Sequence, residues 1–371
     1  MRRVLALLAS LLLASAAEPP TKRAFLMLGG ATQILDADGK VTWKYPAETR
    51  DGCVLPNGHM LLTLAKSKTY PGGAVIEVTR DLKVVFEYKG TQAEVNTAQR
   101  LPDGRTMLTE AGANPRILEV DATGRIQVEI PLQCSAKDPH FQSRMTRKQP
   151  NGHYLVPQDK IVRELDPAGK VVWEYQAPAS KLDNRTFCAL RNAAGHTLVS
   201  LTVGNQVVEV DAAGKVVWEL KAGDLPGVPI TRTTALAWLP NGNVILSNYA
   251  ARAPQAKLVE ITRDKKIVWT YTDATNQGVH EFQLLDDAGK PLTGVIGAVG
   301  IGITDSDVAV TIDGWTCHPA VSVARCISAL LMDTHFTATA DPEFVPSYST
   351  LSTCGHGVHA DHALQISRAS V

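Results

Sequence analysis

The chain has 371 residues, with 37 Lys and Arg against 37 Asp and Glu. That length suits one large domain or two ordinary ones, and the zero net charge excludes a global electrostatic case for nucleic acid or an acidic membrane surface. An apolar share of 44 % supports a packed core and excludes wholesale disorder.

The chain begins with the basic Met1-Arg2-Arg3, followed by the apolar run Val4 to Leu13. The small-x-small triplets Ala14-Ser15-Ala16 and Ser15-Ala16-Ala17 come next. This is the three-part layout of a secretory signal peptide, here residues 1–17. A run of ten residues is half of the roughly 20 needed to span a bilayer. The expectation is a secreted or periplasmic protein with no stable membrane insertion.

From residue 23 the chain repeats itself. One phrase joins an apolar pair, a turn with Gly or an acidic residue, a basic residue and an alternating run ending in a large side chain. It runs ILDADGKVTWKY to Tyr45, IEVTRDLKVVFEY to Tyr88 and LEVDATGRIQVEI to Ile130. It returns as RELDPAGKVVWEY to Tyr175, VEVDAAGKVVWEL to Leu220 and VEITRDKKIVWTY to Tyr271. The equivalent positions Trp43, Phe86, Val128, Trp173, Trp218 and Trp269 are spaced by 43, 42, 45, 45 and 51 residues. A second phrase alternates with the first, around Gly58, Gly104, Gly152, Gly195 and Gly242.

Each phrase encodes a hairpin. Pro-Asn-Gly and Asp-Ala-Ala-Gly supply turn residues that tolerate positive φ, and the flanks alternate with the period of a strand. Two hairpins per repeat give four strands, the blade of a β-propeller. The recurring aromatic, late in each repeat, is placed to pack one blade onto the next. The sixth opening strand is expected in His280 to Lys290, with its partners at Arg23–Gly30 and Ala31–Tyr45. Both chain ends would then build one blade and close the ring, removing exposed sheet edges. The fold class is therefore all-β: a six-bladed propeller of four-stranded antiparallel blades over residues 23–290.

The first strand of each blade lines the channel, so alignment on the turn glycine ranks its side chains. Eight residues before these five glycines and Gly289 lie Arg50, Asn96, Arg144, Phe187, Thr234 and Glu281. Ten before the first five lie Glu48, Glu94, Gln142, Arg185 and Arg232. Six before lie Gly52, Ala98, Thr146, Ala189, Leu236 and Gln283. Positions two apart share a strand face, so this face runs from charged to mostly small: a polar mouth above a crowded waist. The candidate binding residues are Arg50, Glu94, Asn96, His140, Arg144, Arg185, Arg232, His280 and Glu281. Arginine forks suit an anionic or polyhydroxylated ligand; the plainer alternative is an internal salt-bridge network around a wet channel. No P-loop, GxSxG elbow or GxGxxG in a strand-to-helix context is present.

The phrases Glu209-Val210-Asp211-Ala212-Ala213-Gly214-Lys215-Val216-Val217-Trp218 and Glu164 to Trp173 resemble the tryptophan-docking repeat of PQQ-like, quinoprotein-alcohol-dehydrogenase-like propellers. The LPNGN run at Leu239–Asn243 resembles repeats of arylsulfotransferase-type propellers. The resemblance covers roughly residues 23–290 and implies the propeller scaffold. It also raises two activities, quinone-dependent oxidation with PQQ and sulfate transfer through a channel histidine. Quinoproteins of this type have eight blades and often an adjacent Cys-Cys pair, both missing here, which speaks against PQQ. Neither His140 nor His280 matches the sulfotransferase motif.

After Lys290 the repeat stops. Residues 291–371 hold two basic and seven acidic side chains, three of the six Cys and five of the ten His. They read as an irregular extension with a short helix over Ala320–Met332. Cys354, His356, His359 and His362 are metal-like in composition but not in zinc spacing, so no metal is assigned. Cys317 could pair with Cys326; Cys53 and Cys188 read as buried free thiols. The sequence points to an exported binding or interaction module with an unidentified small-molecule or protein partner and no nucleic acid. The alternative is a channel-mouth enzyme of quinoprotein or arylsulfotransferase type.

Overall fold

The computed structural model describes residues 21–297 and three short strands, Val308–Ile312, Trp315–Cys317 and Gln365–Arg368, which pair with one another. The leader segment, Ala320–Met332, Cys326 and the Cys354–His362 cluster lie outside the described residues.

Six antiparallel sheets of four strands form the blades, each ordered from the inside outward. Blade 1 comprises Thr49–Val54, Met60–Leu64, Ala74–Val78 and Val84–Lys89. Blade 2 comprises Glu94–Arg100, Thr106–Ala111, Arg116–Val120 and Ile126–Pro131. Blade 3 opens with only two paired residues, Arg147–Lys148, before Tyr154–Gln158, Ile161–Leu165 and Val171–Gln176. Blade 4 comprises Thr186–Arg191, Thr197–Leu201, Gln206–Val210 and Val216–Lys221. Blade 5 comprises Thr233–Trp238, Val244–Asn248, Leu258–Ile261 and Ile267–Tyr271.

Blade 6 closes the ring. Its inner strand Val279–Leu285 pairs with Ala24–Gly29 in the register Ala24↔Leu285, Phe25↔Leu284, Leu26↔Gln283 and Met27↔Phe282, followed outward by Thr32–Leu35 and Val41–Tyr45. The two chain ends therefore share a blade, as the repeat phase predicts. The chain does not leave the propeller at Lys290: Leu292 donates its N–H to Leu284 O at 3.0 Å, and Ile296–Gly297 adds to the inner strand of blade 5.

The innermost three strands of each blade are nearly continuous buried runs, whereas the outermost strand turns its valines to solvent and its large ring inward. Three of the tryptophans dock by a specific bond as well as by area. The indole N–H of Trp43, Trp173 and Trp218 each donates, at 2.9 Å, to a turn carbonyl of the next blade: Arg80, Ala212 and Arg263. An amphipathic ring with its one donor satisfied is what such a half-wet seam needs. Phe86 and Val128 stand at the same place without a donor.

A second inter-blade device went unread in the sequence. In blades 1 to 5 the glutamate of the third strand receives a partner from its own hairpin and a cation from the next blade. Glu77 holds His59 at 2.7 Å and Arg100 at 2.8 Å. Glu119 holds Arg105 at 2.8 Å and Lys148 at 2.5 Å. Glu164 joins His153 and Arg191, Glu209 joins His196 and Arg263, and Glu260 joins Asn243 and Arg23. Arg191 and Arg263 also lie over the Trp173 and Trp218 rings, 4.2 and 4.4 Å from the centroids. Blade 6 has the buried apolar Ile34 in the glutamate's place.

Candidate binding site at the channel mouth

The inner strands do not keep a perfect ladder. Register slips between Thr49 and Asp51, Val95 and Thr97, Thr186 and Ala189, and Thr233 and Leu236. In blade 6 the slip skips His280, because Leu28 faces Glu281 while Gly29 faces Val279. These are β-bulges, which free a residue from pairing and re-aim its side chain. The freed residues include Arg50, Asn96, Phe187 and His280. In blade 3 the same level is irregular chain, and it carries Arg144.

At the mouth Arg50 forks onto Glu94, with Nη1 2.6 Å from Oε2 and Nη2 3.2 Å from Oε1, and its Nη1 also reaches Asn96 Oδ1 at 2.7 Å. His140 sits on the single 3-10 turn among the described residues, Pro139–Phe141, capped by Asp138, and brings Nδ1 to 3.3 Å from Glu94 Oε2. Burial alone pushes the Glu94 carboxyl up, but the hydrogen bonds and charges of His140 and Arg50 outweigh it and hold Glu94 down at about 2. Asn96 is tied in turn to Ser143 O at 3.1 Å.

Arg144 differs. It is 7 % exposed, yet its guanidinium makes no hydrogen bond or ion pair among the described residues. It lies over the Phe187 ring at 4.8 Å and the Phe141 ring at 5.8 Å. Burial, then repulsion from Arg50, lowers its pKa from 12.5 to about 9. The neighbouring His280 imidazole packs edge-on to the same Phe187 ring at 4.8 Å and to Tyr249 at 5.8 Å. Its Nδ1 is 2.6 Å from Arg50 O. A carbonyl only accepts, so Nδ1 carries the proton and Nε2 keeps its lone pair. Burial and the Arg144 charge lower this imidazole to about 3, so it is neutral.

One residue further along the strands lies a floor that the alternation rule missed. The buried Arg147 forks onto the buried Asp51 of blade 1, with Nη1 2.9 Å from Oδ2 and Nη2 2.8 Å from Oδ1. Asp51 also accepts from Gly52 N at 2.9 Å and Ala98 N at 3.0 Å, and bonds the Thr97 hydroxyl. Glu281, fully buried beside this pair, has its carboxyl pushed well up by burial and by the Asp51 charge, which makes it the neutral member. Cys188, buried too, has its thiol raised well above 9.

The predicted residues thus separate. Arg50, Glu94, Asn96, His140, Arg144 and His280 meet at the mouth. Glu281 belongs to the floor. Arg185 is consumed by Asp183 and Asp159 at 2.7 Å each, stacked 3.8 Å over Phe141. Arg232 is exposed with φ of 46°. Glu48 is exposed as well. Cys53, Cys134 and Cys188 are free thiols. No group of three or more His, Cys, Asp or Glu able to hold a metal occurs among the described residues. No helix among them is long and apolar enough to cross a membrane.

Residues 29–288 match the family model described as outer membrane protein assembly factor BamB, a PQQ-type propeller family. The chain belongs to this family. Among curated proteins none matches the sequence. Among solved structures, one similar to this BamB-type propeller is a protein of unknown function from Bacteroides caccae. It has 23 % identity and a TM-score of 0.59, over 70 % of this chain and 97 % of that one. Another is virginiamycin B lyase from Staphylococcus aureus, with 15 % identity and a TM-score of 0.48, over 72 % and 87 %. At these identities the likeness concerns the fold alone.

Proposed function

We propose that this BamB-type propeller is an exported binding module that takes an anionic ligand at its channel mouth. The observation that carries the reading is Arg144, a buried guanidinium with no anionic partner among the described residues, beside arginines that each have one. Arg50 is neutralised by Glu94, Arg185 by Asp159 and Asp183, and Arg147 by Asp51. An unpaired buried charge is expensive to hold, and an arriving anion removes that expense. Export rests on the leader-like residues 1–17, and its test is N-terminal sequencing of protein recovered outside the cytoplasm. A chain starting near Glu18 supports export; an intact Met1 argues against it.

His280 gives little support to an enzyme. A neutral imidazole near pKa 3 accepts hydrogen bonds but is a feeble base at neutral pH. Titration of the purified chain with acetate, followed by calorimetry, tests the binding reading. Saturable binding that Arg144→Met removes, with the melting temperature kept, is expected. Binding indifferent to that change would refute the reading. A shifted quinone absorbance with dye reduction on adding PQQ and Ca²⁺ would replace it with a quinoprotein reading.

A further inference from the structure

We infer that the mouth selects a monocarboxylate carrying a neighbouring hydroxyl group, a 2-hydroxy acid in the simplest case. This rests on the anion-binding reading above and adds the ligand's class.

The charge comes first. At the mouth Arg50 and Glu94 cancel, and at the floor Asp51 and Arg147 cancel beside a neutral Glu281. Lys66 and His140 share Glu94 with Arg50, whereas the Arg144 guanidinium has no carboxylate beside it among the described residues, so the place for an anion is at Arg144.

Shape comes second. The Arg144 guanidinium carbon lies over the Phe187 and Phe141 rings, 4.8 and 5.8 Å from the centroids, and its N–H groups have no partner among the described residues, which leaves them as a free donor fork. That fork matches the two coplanar oxygens of a carboxylate. Phe187 also fixes the third element, because the His280 ring packs against it edge-on at 4.8 Å. One aromatic ring therefore carries a two-pronged donor and a neutral imidazole. The His280 Nδ1–H is spent on Arg50 O, so Nε2 can only accept. A carboxylate alone offers Nε2 nothing, since it has no proton to donate. A ligand hydroxyl next to the carboxylate does, and Arg50 and Asn96, already bonded to each other, do not compete for it.

The test uses the full chain, titrated by calorimetry with L-lactate, D-lactate, propionate and methyl lactate. The inference expects one lactate enantiomer to bind about tenfold tighter than propionate, the worth of one hydrogen bond to an otherwise unfilled acceptor. Methyl lactate, lacking the charge, should not bind measurably. In His280→Asn the amide can still donate to Arg50 O while the Nε2 acceptor is gone, and lactate should fall to the level of propionate. Arg144→Lys keeps the charge but not the fork, and should weaken both acids.

Propionate binding as tightly as lactate in the unaltered protein, with both lost in Arg144→Lys, would overturn the hydroxyl inference and leave the anion reading standing. Failure of every carboxylate to bind would overturn both. The comparison of acids on the unaltered chain needs no variant, so it decides even where a substitution fails to fold.

Discussion

Asp51 and Arg147 lie 96 positions apart in the chain, on blades 1 and 3, and form a two-pronged ion pair with both partners buried. Removing one partner strands the other without water, which costs about 3–5 kcal/mol. Asp51→Asn and Arg147→Met should each destabilise by about that amount in urea unfolding. The double variant Asp51→Asn with Arg147→Met should lose clearly less than the two single losses added together. Additive losses would mean that the pair is not a unit.

The tryptophan seam makes a simpler prediction. Trp218 gives up its indole N–H to Arg263 O at 2.9 Å and supports the Arg263 guanidinium at 4.4 Å, which in turn meets Glu209. Trp218→Ala should cost about 3 kcal/mol, as large-to-small changes in packed sites do. Trp218→Phe keeps most of the ring and should lose only about 1 kcal/mol, the hydrogen-bond share. Equal melting temperatures for Trp218→Ala and the unaltered chain would contradict a docking role.

These two cases mark where the sequence was legible. Turn glycines and period-two alternation are local signals, so the blades, the docking rings and the closure by Phe25↔Leu284 could be read from one chain. The mouth was legible as far as alternation holds, which brought in Arg50, Glu94, Asn96 and Arg144. It broke at the bulges. Asp51 should face away from Arg50 by alternation, yet the slip between Thr49 and Asp51 lets both serve the channel, and the same slip in blade 6 puts His280 at the mouth and Glu281 in the floor. Arg147 was missed because blade 3 has a two-residue inner strand and no regular face to extrapolate. Arg232 fits the spacing, but positive φ sits just before its strand and the residue ends in solvent. The inter-blade glutamates stood in every middle repeat, and their partners come from hairpins and neighbouring blades that spacing alone does not connect.

The small residues expected at a channel waist pack elsewhere: Ala98 and Ala189 belong to the hydrophobic core, and Gly52 faces the core leucines Leu62 and Leu28. A Cβ on Gly52 would lie 2.5 Å from Leu61 O, too close for real atoms, and 3.2 Å from a Leu28 methyl, a tight contact. Gly52→Ala should therefore destabilise by about 1–3 kcal/mol, the range for overpacked cores. Gly58→Ala, at a turn where an added Cβ meets nothing but φ is 82°, tests backbone strain alone and should cost about 1 kcal/mol. A reversed order of the two would show that the inner strands yield more easily than the turns.

Glu281 and His280 are adjacent and should act on stability in opposite pH directions. Glu281 keeps its proton in the folded state above the ordinary value of 4.5, because burial and the Asp51 charge disfavour its anion. Above about pH 4.5 the unfolded chain releases a proton that the folded chain retains, so stability falls as pH rises, by up to about 1.4 kcal/mol per pH unit for one full proton. Glu281→Gln keeps a neutral group of the same shape and should flatten the slope that begins above about pH 4.5. His280 titrates near 3 when folded and 6.5 when unfolded. Below about pH 6.5 the unfolded chain takes up a proton that the folded chain refuses, so stability falls as pH drops, a loss that His280→Asn should remove. Urea midpoints measured at half-unit steps from pH 4 to 8 separate the two. Unchanged profiles in both variants would mean that neither side chain is desolvated as the structure places it.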